Sequence, residues 1–432
     1  MINKLLNSKF KKDLSFSYIT QAITVSFGFI QLFLINKYFG VETYGQLAII
    51  MSTAGIFSSL LTARSSEAVT RFFKREELNK NFEDAKFVLF IGFIIDFITA
   101  VLLVVLIYLL SSFIAITFLK DVNLSDELVF YSFITFFIFL RGSLMGYLQS
   151  KEMFVKINMI TIVESFFKVC GLLIAIYLFS SNSLAVIIYV FLFASLISFS
   201  YTFFIFSKSF IKEYFATEIV FNRNILREYW HFNLKTFFSS SLKAGNQNID
   251  NLIIGYFLNS EVVGIYQVLK KILSPIMIIA TPFSMLVYPK LIHYFETSQK
   301  DKFKHIITKV SFYILLISIS YIFISHIFLI DIFQLMDIEF TNIYNKYFSL
   351  VSMLYILTSQ MWWVRAFSNT VNPNYSIYMN LFATIFQLTI TILLSKYFGF
   401  IGMLISIIVM NIIILSFWFR KGYKYVYTYI HI

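Results

Sequence analysis

Between Phe87 and Leu110 the chain runs for twenty-four residues with one charged side chain, Asp96. As an α-helix that segment is about 36 Å long, enough to cross a hydrocarbon core of about 30 Å, and a helix satisfies its own backbone polar groups, as an apolar solvent requires. The pattern recurs. Apolar runs of similar length fall at 15–37, 44–71, 87–110, 128–149, 155–179, 184–207, 229–257, 262–290, 306–330, 346–370, 374–395 and 400–420. Only 13% of the 432 residues are charged and 59% are hydrophobic, against about 25% charged in a soluble domain. The chain therefore reads as an all-α membrane protein with about twelve transmembrane helices.

Lys and Arg fix the orientation, because cytoplasmic loops retain them. Twenty-one lie in the N-terminus, 72–86, 150–156, 208–228, 290–305 and the C-terminal tail, all on one side of a twelve-span chain; four, Lys37, Lys120, Lys346 and Lys396, lie on the other. Both termini are expected on the cytoplasmic side. The basic start, "MINKLLNSKFKKDLSF", leads into a span too long for a cleaved signal and reads as an uncleaved first helix. The basic balance, pI near 9.4, is a topology signal whose neighbours are anionic membrane lipids, not nucleic acid.

The stretch 208–228 separates two sets of six spans, which defines an N-terminal half 1–207, a cytoplasmic linker 208–228 and a C-terminal half 229–432. Six is even, so the halves repeat in parallel about a pseudo-two-fold axis along the membrane normal. "YFGVETYGQ" at 38–46 and "YFLNSEVVGIYQ" at 256–267 stand at the same place in each half, and Lys-Tyr-Phe-Gly occurs at both 37–40 and 396–399. Each marks an outer hairpin where one span ends and the next begins. Gly after an apolar helix is also a common C-cap and Tyr an interfacial residue, so turn chemistry alone accounts for the tetrapeptide.

Ten Lys and Arg remain inside the spans, Arg64, Arg71, Arg141, Lys168, Lys235, Lys243, Lys270, Lys271, Lys309 and Arg365, against four acids, Glu67, Asp96, Glu164 and Asp250. Charge at membrane depth is costly and marks function. Arg71 and Lys309 lie close enough to an end to snorkel, whereas Arg141, Lys168, Lys243 and Lys270 lie too deep and point to a water-filled cavity. Arg64, Glu67 and Arg71 fall on one helical stripe, as do Lys235, Ser239, Lys243, Asn246 and Asp250. Glu164 and Lys168, four apart, are placed to pair. Pro275, Pro282 and Pro289 recur every seven residues in the eighth span, which is expected to bend or hinge there.

Two six-helix halves, "KYFGVETYGQLAII", "NIDNLIIGYFLNSEVVGIYQ" and "RAFSNTVNPNYS" together resemble the bacterial polysaccharide repeat-unit flippases, the O-antigen and capsule translocases of the multidrug, oligosaccharidyl-lipid and polysaccharide exporter superfamily. The resemblance implies a V-shaped, alternating-access transporter with a central cationic cavity, which carries an undecaprenyl-diphosphate-linked oligosaccharide between leaflets. On that reading the substrate-binding candidates are Arg64, Arg141, Lys168, Lys235, Lys243, Lys270 and Arg365. Asp96, Glu164 and Asp250 are candidates for H⁺ or Na⁺ coupling, and the three prolines form the hinge. Lipid-linked oligosaccharide and membrane lipids are the expected partners, with a polysaccharide polymerase and a chain-length regulator as protein partners. Trp362 and Trp363 beside Arg365 offer ring faces to a sugar, and Trp230 and Trp418 are placed as interfacial anchors.

No cofactor is called for. The sequence lacks a phosphate-binding Gly-rich loop and metal-spaced His pairs, and Cys170 reads as a small buried residue. A polymerase of similar helix count needs a sizeable outer domain, and the longest outer segment here, 111–127, is short. The chain is thus read as a non-enzyme, and a cation-coupled drug exporter of the same superfamily is the other alternative. The charge split predicts that reporters fused within 72–86, 208–228 and 290–305 report a cytoplasmic location and those within 111–127 and 331–343 an external one. External activity from 208–228 would end the two-by-six arrangement.

Overall fold

The computed structural model describes residues 8–62, 65–178, 183–214, 218–278, 294, 297, 299–364, 367 and 373–428. Among them the regular structure is helical. The chain divides into two compact units, Met1–Leu252 and Ile253–Ile432.

The first unit holds α1 (Ser8–Phe39), α2 (Val41–Leu61), α3 (Ser65–Leu78), α4 (Phe82–Ile114), α5 (Ser125–Ser150), α6 (Phe154–Leu178), α7 (Leu184–Tyr214) and most of α8 (Arg223–Phe257). The second holds the end of α8, then α9 (Ser260–Leu273), α10 (Lys300–Ile327), α11 (Leu329–Leu335), α12 (Asn342–Ser359) and α13 (Pro373–Thr428). Among the described residues eight helices are long and apolar enough to cross a membrane, and the last, Leu381–Gly422, contains parts of two of the sequence's spans.

The departures from the sequence reading have local causes. The second span does not run from 44 to 71. Helix α2 ends at Thr62, which is extended (φ −60°, ψ 115°), and α3 begins afresh at Ser65. Thr and Ser here offer the backbone alternatives to a continued helix. Helix α3 buries Ser65, Ala68, Val69, Phe72, Phe73 and Glu76, the three-and-four spacing of an amphipathic surface helix and not of a span. The linker expected at 208–228 is largely helical, since α7 runs to Tyr214 and α8 starts at Arg223, where Asn222 Oδ1 accepts the Asn224 and Ile225 N–H groups. The outer segment 111–127 is helical too: α4 passes into a π-turn, Ala115–Leu119, closed by left-handed Lys120.

The hairpin glycines answer to geometry. Gly40 between α1 and α2 has φ 87°, and Gly399, which breaks α13, has φ 58°. Neither is crowded at its Cβ position, so the requirement is conformational. The matching turn, at Leu258 and Asn259, has no glycine; Asn259 caps α9 by accepting the Val262 N–H at 3.0 Å.

Helix α5 is the hub of the first unit and packs on α3, α4 and α7, while α1 packs on α6. Near its basic end Phe72 and Phe73 of α3, Val88 of α4, Tyr147 of α5 and Tyr229 of α8 form one buried cluster, with the Phe73 and Tyr147 rings edge to face at 5.2 Å. Trp362, Trp363 and Trp418 are buried together with Phe303 and Phe367 in the second unit, so Trp418 packs in a core and is not exposed as an anchor; Trp230 is exposed, as an anchor is.

Gly146 on α5 sets the distance to α3, because a Cβ there would stand 2.7 Å from the Ser66 carbonyl oxygen. Gly146→Ala therefore forces two backbones apart and is expected to cost about 1–3 kcal/mol, seen as a lower midpoint in thermal unfolding of the detergent-solubilised protein. Gly171→Ala, which meets only the Val190 side chain, is expected to cost less.

Candidate functional site

Helix α5 carries Arg141 two-thirds of the way along its length, among apolar neighbours where an unpaired cation is expensive. Its Nη1 donates to Glu164 Oε2 on α6 at 2.7 Å and also to Ser198 Oγ on α7. The other oxygen of the same carboxylate, Oε1, accepts from Lys168 Nζ at 2.8 Å, one turn along α6. Lys168 Nζ also lies 5.2 Å from the Phe191 ring centroid. Arg141 is 9% exposed. One anion is thus shared by two cations, and the cluster keeps a net positive charge. Small buried residues on α7, Ala194, Ser195, Ser198 and Thr202, let that helix approach closely enough for Ser198 to join.

A second polar group sits on the same α5. Asp96 of α4, 6% exposed, accepts the Ser143 N–H at 2.6 Å and the Ser143 Oγ hydroxyl at 2.5 Å. Gly142 makes the room: a Cβ there would lie 2.9 Å from Asp96 Oδ2. Charge-assisted donation to a carboxylate is the strong form of the hydrogen bond.

Arg141, Lys168 and Glu164 are therefore brought together in one ion cluster. Lys270 lies in the second unit at the end of α9, half-buried, with Nζ 4.8 Å from the Tyr266 ring centroid. The stripe of Lys235, Lys243 and Asp250 lies on the continuous α8, which keeps those positions on one face; the Lys235 and Lys243 side chains, Arg64, Arg365, Pro282 and Pro289 lie outside the described residues. The Arg64–Glu67–Arg71 stripe assumed an unbroken helix, and α2 ends before it. Arg71, exposed on α3, lies over the Phe232 ring at 5.0 Å. Trp362 and Trp363 are packed, and Trp362 Nε1 donates to Ser311 Oγ at 3.0 Å.

At Pro275 the hydrogen-bond ladder loses a donor while the backbone at Ser274 stays helical (φ −57°, ψ −30°). Helix α9 stops at Leu273 and helix resumes at Pro275, the first-turn position where a missing N–H does no harm. Tyr355 Oη donates to Lys270 O at 3.0 Å and Tyr321 Oη to Ile272 O at 2.8 Å, while Lys271 O accepts both the N–H and the Oγ hydroxyl of Ser274, at 3.2 and 2.8 Å.

Sequence reasoning counted Lys151 only as a topology charge. In the structure it bridges Glu77 of α3 and Glu213 of α7, and Tyr214 Oη donates to Glu77 Oε1 at 2.8 Å. Burial alone would raise the Glu77 carboxyl, but the bonds from Lys151 and Tyr214 outweigh it and hold the group below its ordinary range. For Lys151 burial pulls down, and the Glu213 and Glu77 carboxylates prevail and raise it. Arg75 adds ion pairs to Glu76 and Glu228, each at 2.7 Å.

A family model described as "Polysaccharide biosynthesis protein" matches residues 10–295, two-thirds of the chain. No curated protein sequence matches. Among solved structures the chain is similar to an inward-facing multidrug resistance MATE family transporter of the MOP superfamily, with TM-score 0.76, 13% identity, and 95% of this chain and 98% of that one covered. It is similar to an outward-facing one with TM-score 0.63, 15% identity and 96% of each chain covered. It is also similar to a MATE protein in the straight conformation, with TM-score 0.58, 13% identity and 96% of each chain covered. At such identities the likeness concerns the fold alone, a multi-pass helical membrane fold.

The ion cluster makes an ordered prediction. Glu164→Gln strands two buried cations and is expected to cost about 3 kcal/mol, whereas Lys168→Ala leaves the Arg141–Glu164 pair intact and is expected to cost about 1 kcal/mol or less. Adding Lys168→Ala to Glu164→Gln should recover part of the loss in thermal unfolding, and strict additivity would mean that the three groups do not act together.

Proposed function

We propose, from the premise that this chain belongs to the family of polysaccharide biosynthesis proteins, that it translocates undecaprenyl-diphosphate-linked oligosaccharide repeat units of an O-antigen or capsule. The movement is from the cytoplasmic to the periplasmic leaflet of a bacterial inner membrane, by alternating access. The observation that carries the reading is the surplus of cation at membrane depth: Arg141 and Lys168 share the single carboxylate of Glu164. A lipid diphosphate is an anion that must leave water, and fixed cations in a low-dielectric path are what receive it. Lys270, whose ring contact with Tyr266 eases burial without discharging it, is of the same kind.

A second reading, a cation-coupled drug exporter, is favoured by Asp96, a buried carboxylate held by hydroxyl and amide donors, and by the multidrug transporters that share the fold. The two readings differ in what they leave behind. On the first, deleting the gene abolishes the surface polymer and leaves lipid-linked repeat units facing the cytoplasm. Arg141→Lys and Lys270→Arg then restore most polymer, while Arg141→Glu and Lys270→Glu do not, at equal levels of inserted protein. Unchanged polymer with altered drug sensitivity would select the second reading. Units that reach the outer leaflet but are not extended would point to a polymerase.

A further inference from the structure

Two adjoining cavities of the second unit lie along α10 and α12, about 590 Å³ at the end where α10 finishes and α12 begins and about 410 Å³ deeper along the pair, with His326 and Ser349 in the walls of both. Their chemistry is graded. At the mouth stand His326, Asn345 and Lys346, in or next to the first turns of α12, whose N-terminal dipole favours an anion. The trough beyond is walled by Ile322, Phe323, Met353 and Ile356. Among the described lining residues of the two cavities there is no carboxylate; Glu261 and Glu339 act on Tyr344, which faces about 100° away from Asn345 on the helix.

From Lys346 to Ile356 is ten residues, about 15 Å of helix, the depth of one leaflet's hydrocarbon. Within the trough Ser352 is 4% exposed, and among the described residues its hydroxyl has no hydrogen-bond partner. It lies roughly 9 Å below Lys346 along α12, at a depth where a pure hydrocarbon tail offers no acceptor.

We propose that this groove is a binding site for an anionic, ester-linked phospholipid of the phosphatidylglycerol class. Its phosphate lies between Lys346 and His326, its head-group hydroxyls meet Asn345, and an ester carbonyl accepts the Ser352 hydroxyl above an acyl chain in the trough. The ester decides between the phosphate-headed lipids on offer: an isoprenoid phosphate has the anion and the tail but nothing to receive Ser352. Lipid tails exchange for one another with little hydrophobic gain, so retention rests on the charge and on that hydrogen bond. The site is independent of the transported substrate.

Native mass spectrometry of the full chain, titrated in detergent with phosphatidylglycerol, phosphatidylcholine, an ether-linked phosphatidylglycerol and undecaprenyl phosphate, tests it. Phosphatidylglycerol is expected to be retained most tightly. Lys346→Ala, at an exposed position that folding does not need, weakens retention roughly fivefold, and Lys346→Arg restores it. The ether analogue binds roughly fivefold more weakly than the ester, and Ser352→Ala removes that difference. Equal retention of phosphatidylcholine, no effect of Lys346→Ala, equal binding of the ether lipid, or displacement of phosphatidylglycerol by undecaprenyl phosphate at equal concentration would each overturn the assignment.

Discussion

A carboxylate shared by two cations deep in a bilayer protein couples every helix that contributes to it. Glu164 and Lys168 come from α6, Arg141 from α5 and the Ser198 hydroxyl from α7. In a low dielectric neither cation is tolerable without the Glu164 carboxylate, so the three helices are held in one register by electrostatics as well as by packing. The rest of the first unit fits around that requirement. Small residues on α7 allow its approach, Gly142 admits Asp96 from α4, and Gly146 admits the backbone of α3. Helix α5 is therefore polar on the sides that must be read by neighbours and apolar elsewhere.

The same logic governs the basic end of the unit in a wetter setting. Lys151 sits in the turn between α5 and α6 and is gripped by carboxylates from α3 and α7, while Arg75 joins α3 to the start of α8 through Glu228. These charges tie the short amphipathic α3 against the bundle. Backbone groups obey a parallel rule in the second unit, where the hydrogen-bond ladder loses a donor at Pro275 and two carbonyls of the last α9 turn are met by the hydroxyls of Tyr321 and Tyr355. A backbone bond lost inside a bilayer is tolerated only where neighbours replace the partner.

The spans were legible because a run such as 87–110 has one helical reading at that length and hydropathy. The hairpin glycines were legible too: Gly40 and Gly399 occupy positive φ, as a repeated Tyr-Phe-Gly at a helix end implies. Where polar residues gather, the sequence misled. Thr62 and Ser65 lay inside an apolar count that averaged them away, and the resulting break removes the basis for a stripe through Arg64 and Arg71. The Glu164–Lys168 pair follows from a spacing of four, but Arg141 lies 23 residues from Glu164 and 57 from Ser198. Their meeting depends on how α5, α6 and α7 cross, which no local pattern encodes. Lys151 was hidden for a similar reason: Glu77 of α3 and Glu213 of α7 lie 74 and 62 residues away in sequence, so a loop lysine looks the same whether solvated or bridged.

The cations of the two units are held by different contacts. In the first, Arg141 is engaged by both a carboxylate and a hydroxyl, whereas Lys168, on the same carboxylate, leans on the Phe191 ring. A competing anion displaces the point charge on a flexible stem more readily than a guanidinium held in two directions. In the second, Lys270 rests on Tyr266. An aromatic face lowers the cost of burying an ammonium through its quadrupole while leaving the formal charge intact. Ion pairing thus locks helices of the first unit together, and a ring face lowers the cost of burying an ammonium in both units.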